Sequence, residues 1–360
     1  MSSEISSIIY YNALVINDTS ATQKAVYNAQ LGQNLLERAG DYYGSIIRFN
    51  IPAASIPIMN FEILDEKTGT GKYGIAMTYN DGKVDIQVAN NLIWIDNVVS
   101  PTANTPKWVT GYRQMITMIN NCLTSLYDLV VLAGYDPGIA PWMEYDPDTQ
   151  LCSLYVNANY METATYPVKI YYNIFLYELF QNLGWISNLP NGTPSRANNQ
   201  DYLLVARNYG NNKVTNKDTP TGGTMASGFV IKQTYNTLYN WNSFKTLQIV
   251  SYNMPVINEV TPAESTDGTF STIPIIQDFQ LPSDQGPDAR SIIQYSATGQ
   301  YRWFNMTGDQ PLRQLNFSIN FTDQYGNVYP LYLQPETSAS VKFAFYRKKL
   351  LNPQVGVFLA

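Results

Sequence analysis

Residues 312–321 read LRQLNFSINF, and within them Leu315, Phe317, Ile319 and Phe321 alternate with Asn316, Ser318 and Asn320. A β-strand turns successive side chains to opposite faces, so this run has one apolar face and one polar face. The same alternation recurs at Val341, Phe343 and Phe345. Outward from these two segments, further β-rich runs lie at 229–233, 246–252, 273–280, 291–295, 301–305 and 328–333. Many short strands separated by turn signals predict an all-β sandwich, of which the jelly roll is one eight-strand solution.

The middle of the chain changes period. Met115, Ile119, Leu123, Leu126 and Val130 recur every three or four residues, which predicts an amphipathic helix over 106–133. Thr105 is placed to cap it, Pro106 suits its first turn, and Gly134 closes it. A second helix is expected from Asn173 to Asn182, ended by Gly184. Two hairpins are legible. Tyr73–Tyr79 and Lys83–Ile95 flank Asn80-Asp81-Gly82, whose glycine supplies the positive φ of a tight turn. Trp142–Tyr145 and Leu151–Val156 flank Asp146-Pro147-Asp148. Strand signals begin at Ser45, with runs at 46–49 and 58–64 punctuated by Pro52 and Pro57. Ala21–Ala39 reads as a short helix or part of an arm. Residues 186–227, poor in apolar side chains, read as an exposed insertion with one strand at Tyr202–Val205.

The chemistry is defined by what is missing. None of the 360 residues is histidine, which removes Ser-His-Asp and Cys-His nucleophile activation and every histidine-bearing zinc site. Two cysteines, Cys122 and Cys152, are too few for a disulfide framework or a four-ligand zinc site, and Cys122 falls beside the helix stripe as a core residue. The carboxylate pairs Glu144 with Asp146 and Glu62 with Asp65 have the composition a glycosidase needs, but both adjoin turns, where Asp bonds local backbone. Thr68-Gly69-Thr70-Gly71-Lys72 lacks the first Walker glycine, with Glu66 in its place, and has Tyr73 where a magnesium-binding hydroxyl belongs. No catalytic, cofactor-binding or metal-ligating residue is assigned, and no cofactor is expected. N-glycosylation sequons occur at Asn17, Asn191, Asn305, Asn316 and Asn320, which a protein outside the secretory path would not use; Asn316 and Asn320 share one face of a predicted strand and are read as its polar face.

Charged residues make up only 14% of the chain while 28 are tyrosine, so surface polarity rests on neutral groups suited to association. The net charge of −6 gives no chain-wide basic footprint for nucleic acid, and Arg347-Lys348-Lys349 is the one basic cluster in the sequence. No signal peptide opens the chain, and no uninterrupted apolar run reaches the roughly 20 residues of a membrane span. The expected compartment is reducing.

One set of segments resembles a known family. Gln300-Tyr301-Arg302-Trp303, the strand ending at Phe321, Asp323-Gln324-Tyr325-Gly326-Asn327, Tyr329-Pro330-Leu331 and Ser340-Val341-Lys342-Phe343 leading to Arg347-Lys348-Lys349 are similar to the end of penton (minor capsid) proteins. These are the pentons of virophages and polinton-like DNA viruses. Pro141–Val156 and Ile170-Tyr171-Tyr172-Asn173 through Leu179-Phe180 resemble the middle of the same family. The likeness covers about three quarters of the chain. It implies a single upright jelly roll and a homopentamer at each fivefold vertex of an icosahedral DNA-virus shell. It also implies trimers of a double-jelly-roll major capsid protein as neighbours. Residence in the virion is implied too, with assembly in the host cytoplasm or a virus factory. The resulting domain reading is an arm at 1–43 and a jelly-roll capsid domain at 44–348. That domain carries the helical insert near 106–133 and the insertion near 186–227, and a tail follows at 349–360. The Arg-Gly-Asp integrin motif often found in adenovirus penton bases, more distant relatives, does not occur in this sequence. The competing reading is a carbohydrate- or receptor-binding β-sandwich, with Trp185, Trp241 and Trp303 as stacking platforms.

Overall fold

The computed structural model describes residues 8–52, 55, 73–95, 109, 111–186, 202–207, 212–241, 244–257, 259–261, 271–280, 292–296, 302–323 and 328–348. The chain divides into two compact units. One comprises Met1–Ile56, Val99–Thr105 and Phe244–Ala360; the other comprises Pro57–Val98 and Pro106–Ser243. The first unit opens with β1 (Ile8–Asn17), β2 (Gln23–Lys24), β3 (Val26–Gln30) and β4 (Tyr42–Pro52). The second supplies β5 (Gly74–Asn80), β6 (Asp85–Asn91), α1 (Tyr112–Leu132), β7 (Trp142–Asp146), β8 (Leu151–Val156) and β9 (Lys169–Tyr172). It continues with α2 (Ile174–Leu179), β10 (Trp185–Ile186), β11 (Tyr202–Leu204), β12 (Lys213–Asp218), β13 (Thr224–Lys232) and α3 (Leu238–Trp241). The first unit then resumes with β14 (Phe244–Val250), β15 (Glu259–Thr261), β16 (Ser271–Ile273), β17 (Ile275–Gln280) and β18 (Ile292–Ser296). It ends with β19 (Phe304–Asn305), β20 (Gln314–Asp323), β21 (Val328–Pro330), β22 (Tyr332–Leu333) and β23 (Thr337–Arg347).

In the first unit two antiparallel sheets face each other. One has the order β1-β23-β4-β18, with β19 also on β4; the other runs β17-β14-β20-β21, with β3 also on β20. The alternation read at 315–321 and 341–345 points Leu315, Phe317, Ile319 and Phe321 at Val341, Phe343 and Phe345 in one buried cluster. Phe317 and Phe343 meet across the sheets at 5.4 Å between ring centroids, and Phe49 meets Phe279 at 4.6 Å. Aromatic pairs at these separations add about 0.5–1.5 kcal/mol each beyond the area they bury.

The amino-terminal arm is corrected here. Ile8–Asn17 pairs along its whole length with β23, from Ile8 opposite Tyr346 to Asn17 opposite Thr337. Within Ala21–Ala39 there is no α-helix; β2 pairs β22 and β3 pairs β20. The physical reason lies in IIYYNALVIN, which is apolar on both faces and so shows no clean period two. Ala13, Val15 and Asn17 point inward, while Tyr10, Asn12, Leu14 and Ile16 are exposed.

The second unit has its own core, built from the sheets β10-β11-β9-β5-β6 and β12-β13-β8-β7 together with α1. The helix stripe predicted from spacing is buried in full: Met115, Ile119, Leu123, Leu126 and Val130. By length and hydropathy α1 could cross a bilayer, but its predicted stripe packs into this core while Leu129, Val131 and Leu132 stay exposed. It starts at Tyr112 with Gly111 as N-cap, not at Pro106, and Gly111 has no side chain to cap with. Gly134, at φ +104°, closes it as expected, its amide bonding to Val131 O while the Tyr135 amide bonds to Val130 O. Both hairpins form, with Asn80 and Asp81 side chains accepting turn amides. Asn173 caps α2 through its Oδ1 on the Leu176 amide.

The loop reading of 186–227 is corrected in part. Lys213–Asp218 and Thr224–Lys232 form an antiparallel hairpin, and β13 continues onto β8. The strand expected at Tyr202–Val205 is β11. The runs at 58–64, the capping pair Thr105 and Pro106, and the tail at 349–360 lie outside the described residues.

Candidate assembly surface

The described candidates for chemistry, Glu144 and Asp146, hold structure together. Glu144 accepts from Lys217 Nζ at 2.9 Å and from Trp142 Nε1 at 3.2 Å. Lys217 also lies over the Tyr155 ring at 4.7 Å, and Tyr155 stacks on Trp142 at 5.1 Å. This cluster fastens β12 to β7. The sequence reading missed it because Lys217 fell in the stretch taken as a loop. Asp146 accepts from the Asp148 amide at 3.0 Å and Thr149 Oγ1 at 2.7 Å, as a turn aspartate does. Its carboxyl is held below the ordinary range, first by the Thr149 hydroxyl and then by the Asp148 amide. Glu62, Asp65 and the segment 68–72 lie outside the described residues. Among the described residues no three acidic or thiol side chains come together as a metal site.

Cys122 and Cys152 are buried, and burial pushes both thiols up to about 12. Trp241 is buried between Tyr112 and Phe180, so it offers no sugar platform. Trp303 packs edge-on against Tyr346 at 4.3 Å. The sequon residue Asn17 is fully buried, its amide donating to Ala21 O, Leu333 O and Gln334 O. Asn316 Oδ1 accepts from Ser251 Oγ at 2.8 Å on the polar face of β20.

With the interior chemistry accounted for, the surface remains. The outer faces of the two sheets in the first unit differ in kind. On the β14–β20 pair the polar side holds Gln248 opposite Asn320, and Thr246 hydrogen-bonded to the buried Thr322. On the other sheet the face mixes apolar, aromatic and cationic groups. At its edge, β1 exposes Tyr10 at 54%, Leu14 at 47% and Ile16 at 57%, values that leave about half of each side chain for a partner. Inward from that edge, Asn12, Lys342, Arg48 and Ser296 stand in one row across four strands. Lys342 Nζ lies 5.1 Å from the Tyr10 ring centroid, and Lys348 Nζ lies 5.1 Å from that of Tyr43. Strands β1, β4, β18 and β23 contain no Asp or Glu. Half-exposed apolar groups beside cations suit contact with another macromolecule.

A family model described as Sputnik minor capsid protein V18/19 matches residues 9–347, nearly the whole described chain. The chain belongs to the Sputnik minor capsid protein V18/19 family. Structural protein V19 of the Sputnik virophage is 33% identical over 213 residues, covering 57% of this chain and 94% of that protein. A chain of the Sputnik virophage particle solved by cryo-EM superposes with a TM-score of 0.72 at 27% identity, covering 96% of this chain and 99% of that one. The crystal structure of the mavirus penton protein superposes with a TM-score of 0.61 at 16% identity, over 94% of this chain and 99% of that one, a likeness of fold. As a member of the V18/19 family the protein is a structural minor capsid component of a virus particle, and its role is assembly, not catalysis. The family likeness read from the sequence is thereby established, and the mostly-β fold agrees with it.

Proposed function

We propose that five copies of this V18/19-family chain form the penton that closes each fivefold vertex of an icosahedral DNA-virus shell. Trimers of a double-jelly-roll major capsid protein surround it there. The observation that carries this reading is the match of nearly the full length to the mavirus penton fold, joined to membership of a minor capsid family. The sandwich of the first unit is read as the single jelly roll, and the second unit, entering between β4 and β14, as its insertion. The half-exposed apolar edge of β1 supports lateral assembly, because a monomer gains nothing from leaving Tyr10, Leu14 and Ile16 in water. Native mass spectrometry of the purified chain tests the reading. A species at five times the 40.6 kDa protomer mass is the expected result. A persistent monomer at high concentration, or a ring of another size, overturns it.

A further inference from the structure

We propose that the acid-free outer face of the β1-β23-β4-β18 sheet is the lateral contact that receives the acidic flank of the next copy in the ring. This rests on the penton reading and assigns a surface to it.

The key observation is a local cost. Lys342 and Arg48 stand directly opposite each other on adjacent strands. Like charges in that position destabilise a sheet. An acid on a flanking strand would relieve the repulsion, yet the neighbours in that row are Asn12 and Ser296. Neither cation forms an ion pair with a described residue, whereas Arg38, Arg207, Lys217 and Arg302 each do. Lys348, past the end of the same strand and 5.1 Å from the Tyr43 ring, extends the positive charge on this face. Among the described residues no carboxylate offsets this repulsion; the Tyr10 ring lies against Lys342. A carboxylate from a neighbour would turn that cost into an attraction.

Charge also decides the partner. The whole chain is −6; setting aside Arg48, Lys342 and Lys348 leaves −9 on the rest of it. Two such basic faces repel, so a twofold pairing through this surface is disfavoured. A closed ring of five needs a different arrangement, in which one face meets a different face of the next subunit. A chain with positive charge gathered on one sheet and an acidic remainder is suited to that head-to-tail contact. The half-exposed Tyr10, Leu14 and Ile16 beside the cations supply apolar area, which phosphate recognition does not use but a protein interface does.

The test uses the full chain with two double substitutions, Arg48→Glu with Lys342→Glu, and the milder Arg48→Gln with Lys342→Gln. Native mass spectrometry over a concentration series reads assembly, and far-UV circular dichroism reads folding. Charge reversal should raise the half-assembly concentration about a hundredfold or more, and neutralisation about tenfold, with dichroism unchanged. If the Glu pair fails to fold, the Gln pair decides. Folded variants that assemble at the parental concentration overturn the assignment while leaving the penton reading standing. The same outcome joined to lost retention on duplex DNA would reassign the face to nucleic acid. A parent that is itself monomeric overturns both readings together.

Discussion

Single side chains show how tightly the first unit is specified. Asn17 ends β1 with no exposure, donates to three carbonyls and accepts from both the amide and the hydroxyl of Thr19. Asn17→Ala leaves those carbonyls without their donor, and a buried polar group left unpaired costs about 1–3 kcal/mol. The expected result is a folded protein with a lower urea midpoint; an unchanged midpoint would mean the amide is dispensable. A glycan on Asn17 is incompatible with this burial, so the sequon there is a strand-end device. The two cysteines make a second prediction. Only the thiolate reacts, and at a pKa of about 12 roughly one thiol in 10,000 is ionised at pH 8. A chromogenic disulfide reagent should therefore find almost no thiol in the native protein and two per chain in denaturant. Rapid labelling of the folded protein would contradict the burial.

Elements were legible in the sequence wherever one face was apolar and the other polar. Helix α1 and strands β20 and β23 meet that condition, and the turns at Asn80-Asp81-Gly82 and Asp146-Pro147-Asp148 carry their own chemistry. Two elements escaped for opposite reasons. Strand β1 is apolar on both faces, so its periodicity vanishes and it passes for an arm. Strand β12 is polar on both, with Val214 its only apolar residue, because it lies at a sheet edge and buries almost nothing. The basic face was illegible for a further reason: Arg48 and Lys342 lie nearly the whole chain apart and meet only through pairing. Pairing also explains Gly44. Phe304 of β19 lies opposite it, and a Cβ there would collide with the Cζ edge of the Phe304 ring. Gly44→Ala should therefore displace the ring and cost about 1–3 kcal/mol, read as a lower thermal midpoint. The double change Gly44→Ala with Phe304→Leu should recover part of the loss. No recovery would locate the strain elsewhere.

For the assembled molecule the absence of histidine fixes what mild acid can do. Histidine is the side chain whose unperturbed pKa places its charge change between pH 5 and 8, and this chain has none. Among the described residues the shifted groups fall outside that interval on both sides. Asp81 is held below the ordinary carboxylate range, chiefly by the amide of Val84, and Asp146 chiefly by the Thr149 hydroxyl. A depressed folded pKa gives stability that is present above the unfolded value and lost as pH falls through the folded one, so these contribute to loss only below about pH 4. Tyr27 is pushed up to about 12 by burial and by its bond to Tyr11, at 2.5 Å, which ties β3 to β1. A raised folded pKa works the other way: its stability is complete below the unfolded value near 10 and is lost as pH rises toward 12. The proposed pentamer should therefore keep its mass from about pH 7.5 to 6 at fixed salt and loosen only above about pH 10. Light scattering across that titration measures it directly. Dissociation centred near 6.5 would require carboxylates whose pKa rises only when two subunits meet, and carboxylates docked on Arg48 and Lys342, as proposed, would not be such groups, because cations hold a carboxylate's pKa down.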